Sequence, residues 1–211
     1  MLLEELRNRH DGETVWVFGS GPSLNFLDPK FFEDKITIST NTAAKAFGVK
    51  PDYVFSHYHH VAHSLLNDVG TVVTIELDTK SYQPWSSEKP DSLVIAKTPH
   101  EHPQGSSWNP FTRHTPKENE IVYGSSSLHG AMHLGAHLGA NFIVLVGADC
   151  GYIDSTDNLQ GYNKGHPYPH RLYNEHHKLM KEWLVREYGV TVYSLNPFVN
   201  LNLEGHKFEG V

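Results

Sequence analysis

The sequence predicts an α/β fold: a Rossmann-like, open, mostly parallel sheet of about six or seven strands flanked by helices. Three observations predict it. Seven short runs are continuously apolar and β-branched instead of alternating, the mark of strands buried on both faces, as in a parallel sheet. Candidate helices fall between these runs. The first run ends in Gly19-Ser20-Gly21, a strand-to-turn junction of the kind at which open α/β sheets gather ligands. With 211 residues, 38% of them hydrophobic, the chain has enough apolar material for one domain over residues 1–211.

In chain order the strands read "TVWVFG" (Thr14 to Gly19), "ITIST" (Ile36 to Thr40), "DYVFS" (Asp52 to Ser56), "TVVTIEL" (Thr71 to Leu77), "SLVIAK" (Ser92 to Lys97), "NFIVLVGAD" (Asn141 to Asp149) and "VTVYSL" (Val190 to Leu195). The clearest helices are Ser126 to Leu138 and Arg171 to Tyr188, with shorter ones at Asn25 to Phe32, Thr42 to Phe47 and His59 to Leu66. Ser23, Thr42 and Ser125 to Ser127 stand where a side chain can cap free helix N–H groups. Residues 79–120 form a loop-rich insertion around the fifth strand, with Pro99, Pro103, Pro110 and Pro116 in its second half. Residues 152–169 read as a lid, since long irregular connections in a compact domain are commonly functional.

A net charge of −7 and the absence of a Lys/Arg-rich run argue against a nucleic-acid partner. Cys150 is the single cysteine, so no internal disulfide framework exists. The start, "MLLEELRNRHDGE", is too charged for a signal peptide, and no stretch reaches the ~20 apolar residues of a membrane span. A soluble, cytoplasmic protein with a small-molecule partner is expected.

The loop Gly19-Ser20-Gly21-Pro22-Ser23 places backbone N–H groups where an anion can sit. It is no Walker loop, because no lysine follows to reach terminal phosphates. It is no NAD fingerprint either: Leu24 stands where a small residue is needed, and Asn41 replaces the ribose-binding carboxylate. Polar residues recur at the other strand ends, at Ser56, His57 and Asp149, and should share one crevice with the loop. Asp149 would hold a ribose hydroxyl or fix the loop that follows it. Cys150 reads as a small core residue.

The motifs "GSGPSL", "STN", "PDYVFS", "YGSSSLHGAMHLGAHLGA" and "FIVLVGADCGY", in that order, resemble a superfamily. It contains the bacterial sialyltransferases, the motility accessory factor glycosyltransferases and the 6-hydroxymethylpterin diphosphokinase-like proteins, and the likeness runs from about Thr14 to Pro197. The resemblance implies a metal-independent glycosyltransferase that binds a nucleotide-activated sugar, such as a CMP-sugar, and transfers it to a glycan or other hydroxyl acceptor, with no cofactor required. It implies nucleotide contacts from Gly19 to Ser23, Asn41, His57, Ser126, Ser127 and Asp149, phosphate-holding tyrosines at Tyr152 and Tyr162, and a general base at His166 or His170. Two positions depart from the sialyltransferase pattern: its arginine before the serine pair falls near Tyr123 and Gly124, and its asparagine after the third strand falls near His57. The alternatives are a magnesium-dependent diphosphokinase, whose acidic cluster is here "SHYHHVAH", and a nucleotide-binding module without turnover.

The chain has 16 histidines. His59 and His63 have the i, i+4 spacing of a metal pair on a helix, but no acidic partner is adjacent, and no metal site is assigned. His129, His133 and His137 trace one helical stripe, too spread along the axis for one ion, and are expected in packing or in a homo-oligomer contact. His176 and His177, beside Lys178 and Lys181, are expected on a solvated face.

Overall fold

The apolar runs form seven strands: β1 (Thr14–Phe18), β2 (Ile36–Thr40), β3 (Tyr53–Phe55), β4 (Thr71–Ile75), β5 (Leu93–Ala96), β6 (Phe142–Val146) and β7 (Thr191–Ser194). The structure, a computed structural model, describes residues 1–76, 90–98, 115–162 and 170–195, with 170 and 171 described by backbone alone. All strands are parallel and form one sheet in the order β5-β4-β3-β2-β1-β6-β7. The chain starts at β1, steps outward to β5, then returns to the far side of β1 to lay down β6 and β7. Paths therefore diverge between β1 and β6, and such a switch point leaves a crevice at the carboxyl ends of the strands. Register fixes its floor, since Phe18 of β1 lies opposite Val146 of β6.

Side chains alternate across the sheet, and each face has its own cover. Val15, Val17, Ile38, Phe55, Ile143 and Leu145 face helix α3 (Ser127–His137), which runs over β1, β2, β3 and β6, with α4 (His170–Tyr188) beside it. Phe18 and Val146 face the other way, onto α1 (Ala43–Phe47), Leu24 and Phe32. Val54 and Val72 face α2 (His59–Leu65). Every residue of α3 is buried, which its small residues permit: a Cβ on Gly130 would run into the Phe55 ring. Among the described residues no helix is long and apolar enough to cross a membrane.

Several expectations need correction. The helix expected over Asn25 to Phe32 is two 3-10 turns, Pro22–Phe26 and Pro29–Phe32. Pro29 lacks an N–H, and Asp28 caps the second turn by accepting from the Lys30 N–H at 3.0 Å, so an α-helix cannot run through. Thr42 makes no capping bond, because its backbone is not extended; Ser39 Oγ accepts from the Ala44 N–H instead, at 2.9 Å. Ser126 does cap α3, accepting from the Leu128 N–H at 3.2 Å. His176 and His177 are buried, not solvated, because they share a stripe of α4 with Met180, Trp183 and Leu184 that packs on α3.

Candidate functional site

At the switch point the glycine loop is fastened to the continuation of β6. The Gly19 N–H donates to the Val146 carbonyl at 2.8 Å, and the Gly21 N–H to that of Gly147 at 2.7 Å. Beyond Pro22, Ser23 donates to Asp149 twice, from its N–H to Oδ2 at 2.6 Å and from its hydroxyl to Oδ1 at 2.7 Å. A Cβ at Gly21 would meet the Asp149 carboxylate and the Gly147 carbonyl, so only glycine fits there. The N–H groups of Gly19, Gly21 and Ser23, which the sequence offered to an anion, thus hold the loop in place. Asp149, buried to 2% exposure, fixes the glycine loop.

The neighbouring strand tips build the opposite wall. Thr40 Oγ1 donates to the Phe18 carbonyl at 2.8 Å, joining the ends of β2 and β1. Asn41 turns the chain at φ +50°, a left-handed conformation that asparagine tolerates, and its Oδ1 accepts from the Ser56 hydroxyl at 2.7 Å. His57 stacks its ring on Tyr123, with ring centres 5.7 Å apart, and its Nδ1 lies 2.7 Å from Ser127 Oγ. Ser127 opens α3, whose amino end, with its partial positive charge, borders the crevice.

Helix α4 supplies the third side through Tyr173 and His177. Burial pushes the Tyr173 hydroxyl up to about 12 and raises that of Tyr58, so both remain O–H donors at neutral pH. Burial likewise pushes the Cys150 thiol up to about 12 and keeps it a neutral, unreactive group. His177 is held near 3 by burial and is neutral, with its Nδ1 2.7 Å from His129 Nε2.

The expected lid begins on the glycine loop. The Leu159 N–H donates to the Ser20 carbonyl at 2.8 Å, and the Gln160 N–H to Asn25 Oδ1 at 2.9 Å. Leu159 packs into the cluster of Phe18, Leu24 and Phe32. This half of the lid is therefore part of the wall, and it brings Asp157 and Tyr162 to the crevice.

The cavity in the crevice is about 140 Å³, smaller than the ~300–1,000 Å³ of typical small-molecule sites. Of the residues singled out in the sequence, it brings together Gly19, Ser20, Gly21, Asn41, His57, Ser126, Ser127, Asp149 and Tyr162. Pro22 and Ser23 lie behind the loop, and Tyr152 stands outside the crevice at 64% exposure. His166 lies outside the described residues, as does the side chain of His170. Thr40, Tyr58, Ser125, Tyr173 and His177 also line the space. For Tyr173 and His177 the signal was present, since they share a helical face four residues apart. Among the described lining residues there are two carboxylates, Asp149 and Asp157, and no lysine or arginine.

The remaining histidines have other uses. His59 donates from Nε2 to the Ile75 carbonyl at 2.7 Å on α2, and His63 is exposed on the same helix. Along α3, His133 accepts from the Val122 N–H at 2.7 Å and reaches the Tyr188 hydroxyl at 2.6 Å, while His137 donates to the Leu3 carbonyl at 2.9 Å. The stripe is packing within one chain. Among the described residues no group of three His, Cys, Asp or Glu side chains is placed to hold a metal ion.

No family model matches the chain, and no curated protein matches it. Solved structures do. A variant of the sialyltransferase Cst-II in complex with CMP superposes with a TM-score of 0.54 at 14% identity, over 90% of this chain and 84% of that one. The monofunctional alpha-2,3-sialyltransferase Cst-I from Campylobacter jejuni gives 0.52 at 15% identity, over 90% and 78%. CstII from Campylobacter jejuni, in complex with the substrate analogue cytidine-5'-monophosphate, gives 0.50 at 15%, over 91% and 83%. At these identities the likeness establishes the fold.

Proposed function

We propose that the chain, which shares the fold of CMP-binding sialyltransferases, binds a nucleotide-activated sugar in the β1/β6 crevice and transfers the sugar to a hydroxyl acceptor without a metal ion. The observation that carries this reading is the lining: hydroxyls and the Asn41 amide beside the amino end of α3, with no lysine or arginine among the described residues. Among the described residues, a diphosphate or triphosphate in such a crevice would meet two carboxylates and no lysine or arginine to neutralise its several charges. The phosphodiester of a sugar linked to a nucleoside monophosphate carries a single negative charge, which neutral donors and the amino end of α3 can balance.

In the reaction the bond between the anomeric carbon and the phosphate oxygen breaks as the acceptor oxygen bonds to that carbon. The acceptor proton passes to a base, and the electron pair of the broken bond leaves with the phosphate. Charge gathers on that phosphate, and protonated Tyr173, Tyr162 and the serines of the loop and of α3 are the groups that receive it. The expected base is His166 or His170, since an imidazole near its ordinary pKa of about 6.5 accepts a proton at neutral pH. A divalent-metal diphosphokinase fits less well, because both oxygens of Asp149 accept from Ser23.

The test is nucleotide release from CMP-sugars in EDTA, with glycan and simple alcohol acceptors, comparing wild type with Tyr173→Phe. Release in EDTA that falls at least tenfold in the variant supports the assignment. Release that requires magnesium would overturn the metal-independent reading, and AMP formed from ATP and magnesium in place of release from CMP-sugars would move the protein to the diphosphokinase class.

A further inference from the structure

The geometry points to His129, which lies behind the crevice, as a positioning residue: it fixes His177 in the tautomer that presents an Nε2–H to an anionic ligand. This rests on the crevice being a nucleotide site. The argument starts from a donor that cannot be reversed. The Ser126 backbone N–H lies 3.3 Å from His129 Nδ1 and can only donate, so Nδ1 accepts and the His129 proton resides on Nε2. That Nε2 lies 2.7 Å from His177 Nδ1, which must therefore accept in turn. The His177 proton is then confined to Nε2. Both rings are almost wholly buried, at 0% and 2% exposure, and they meet edge to face with centres 4.8 Å apart.

The assignment has a chemical consequence. His177 lines the crevice, and its accepting nitrogen is already engaged by His129, so it serves as a donor and not as the base. A neutral N–H donor suits a site whose described lining carries no cation: it stabilises a phosphate oxygen without needing a charge buried in its absence. The chain Ser126–His129–His177 also ties the cap of α3 to α4, so the tautomer is set by the same contact that joins the two helices.

The relay is read directly by long-range ¹H–¹⁵N correlation spectra of ¹⁵N-histidine-labelled protein at neutral pH without ligand, with His177→Gln identifying the His177 signals. The expected result is a proton on Nε2 of His177 in wild type and in His129→Gln, whose amide can both accept from Ser126 and donate to His177. His129→Leu should release the tautomer and weaken CMP binding about tenfold, the loss of one charge-assisted hydrogen bond, while His129→Gln keeps both. A proton on Nδ1 of His177 in wild type would overturn the relay, and this holds even if His129→Leu fails to fold. So would a His129→Leu protein with unchanged tautomer and affinity. Failure of wild type to bind CMP would overturn the nucleotide role of His177 together with the reading it rests on, while the ligand-free tautomer would still decide the relay.

Discussion

Lowering the pH from 7 to 5 should destabilise this protein by about 2 kcal/mol through the buried His177 imidazole, with His129 adding to the loss in the same direction. His177 is held near 3, and burial holds His129 well below its ordinary value, aided by the nearby His177 and His176. The sign follows from proton counts. In the unfolded chain both rings titrate near 6.5 and take up protons below it; in the folded chain they stay neutral, so the unfolded state binds more protons and stability falls with pH. The stability is fully present above about pH 6.5 and is lost progressively toward pH 3. At pH 5 the unfolded His177 imidazole contributes about 2 kcal/mol to unfolding, from RT ln(1 + 10^1.5). Both groups are fully buried, so solvent screening removes little of this. Urea unfolding followed by tryptophan fluorescence, at half-unit steps from pH 7.5 to 4.5, measures it. His177→Gln removes one titrating ring, so its slope against pH should be shallower than wild type by about 1.4 kcal/mol per pH unit below pH 6. Parallel slopes for wild type and variant would refute the reasoning.

Three further outcomes follow from the same contacts. Asp149→Ala leaves the Ser23 N–H and hydroxyl without their acceptor, which should cost about 2–3 kcal/mol and loosen the glycine loop, seen as a lower urea midpoint and as new proteolysis near Ser23. Gly130→Ala drives a methyl into the Phe55 ring and should cost about 1–3 kcal/mol; Phe55→Leu in the same chain should recover part of it, which thermal melts of single and double variants can show. Cys150, with its thiol pushed up to about 12, should react with iodoacetamide at pH 8 far more slowly than an unperturbed cysteine, measured by mass spectrometry.

Much of the fold could be read in the sequence because a parallel sheet writes itself plainly: "NFIVLVGAD" and "TVVTIEL" are apolar on both faces, and their strands end within three residues of the boundaries expected. Helix α3 was equally plain, since its cap and its small residues serve local geometry and close packing together. What was not legible depends on partners distant in the chain. Ser23 looks like a cap, but its hydroxyl is taken by Asp149, 126 positions later. Ser39 caps α1 only because the end of β2 brings its hydroxyl onto the Ala44 N–H. His176 and His177 look solvated beside two lysines, and only the stripe they share with Met180 and Trp183 places them inside. The crevice followed from topology: once β6 returns beside β1, Gly19, Asn41, His57, Ser127 and Asp149 have to meet.

The central claim is that this crevice takes a nucleoside monophosphate group without a metal ion. Isothermal titration of the protein with CMP, CDP and CTP in EDTA tests it most directly. The lining predicts that CMP binds in EDTA and that affinity falls with each added phosphate. No CMP binding in EDTA, or affinity that climbs from CMP to CTP as in a lysine- or arginine-lined site, would contradict it.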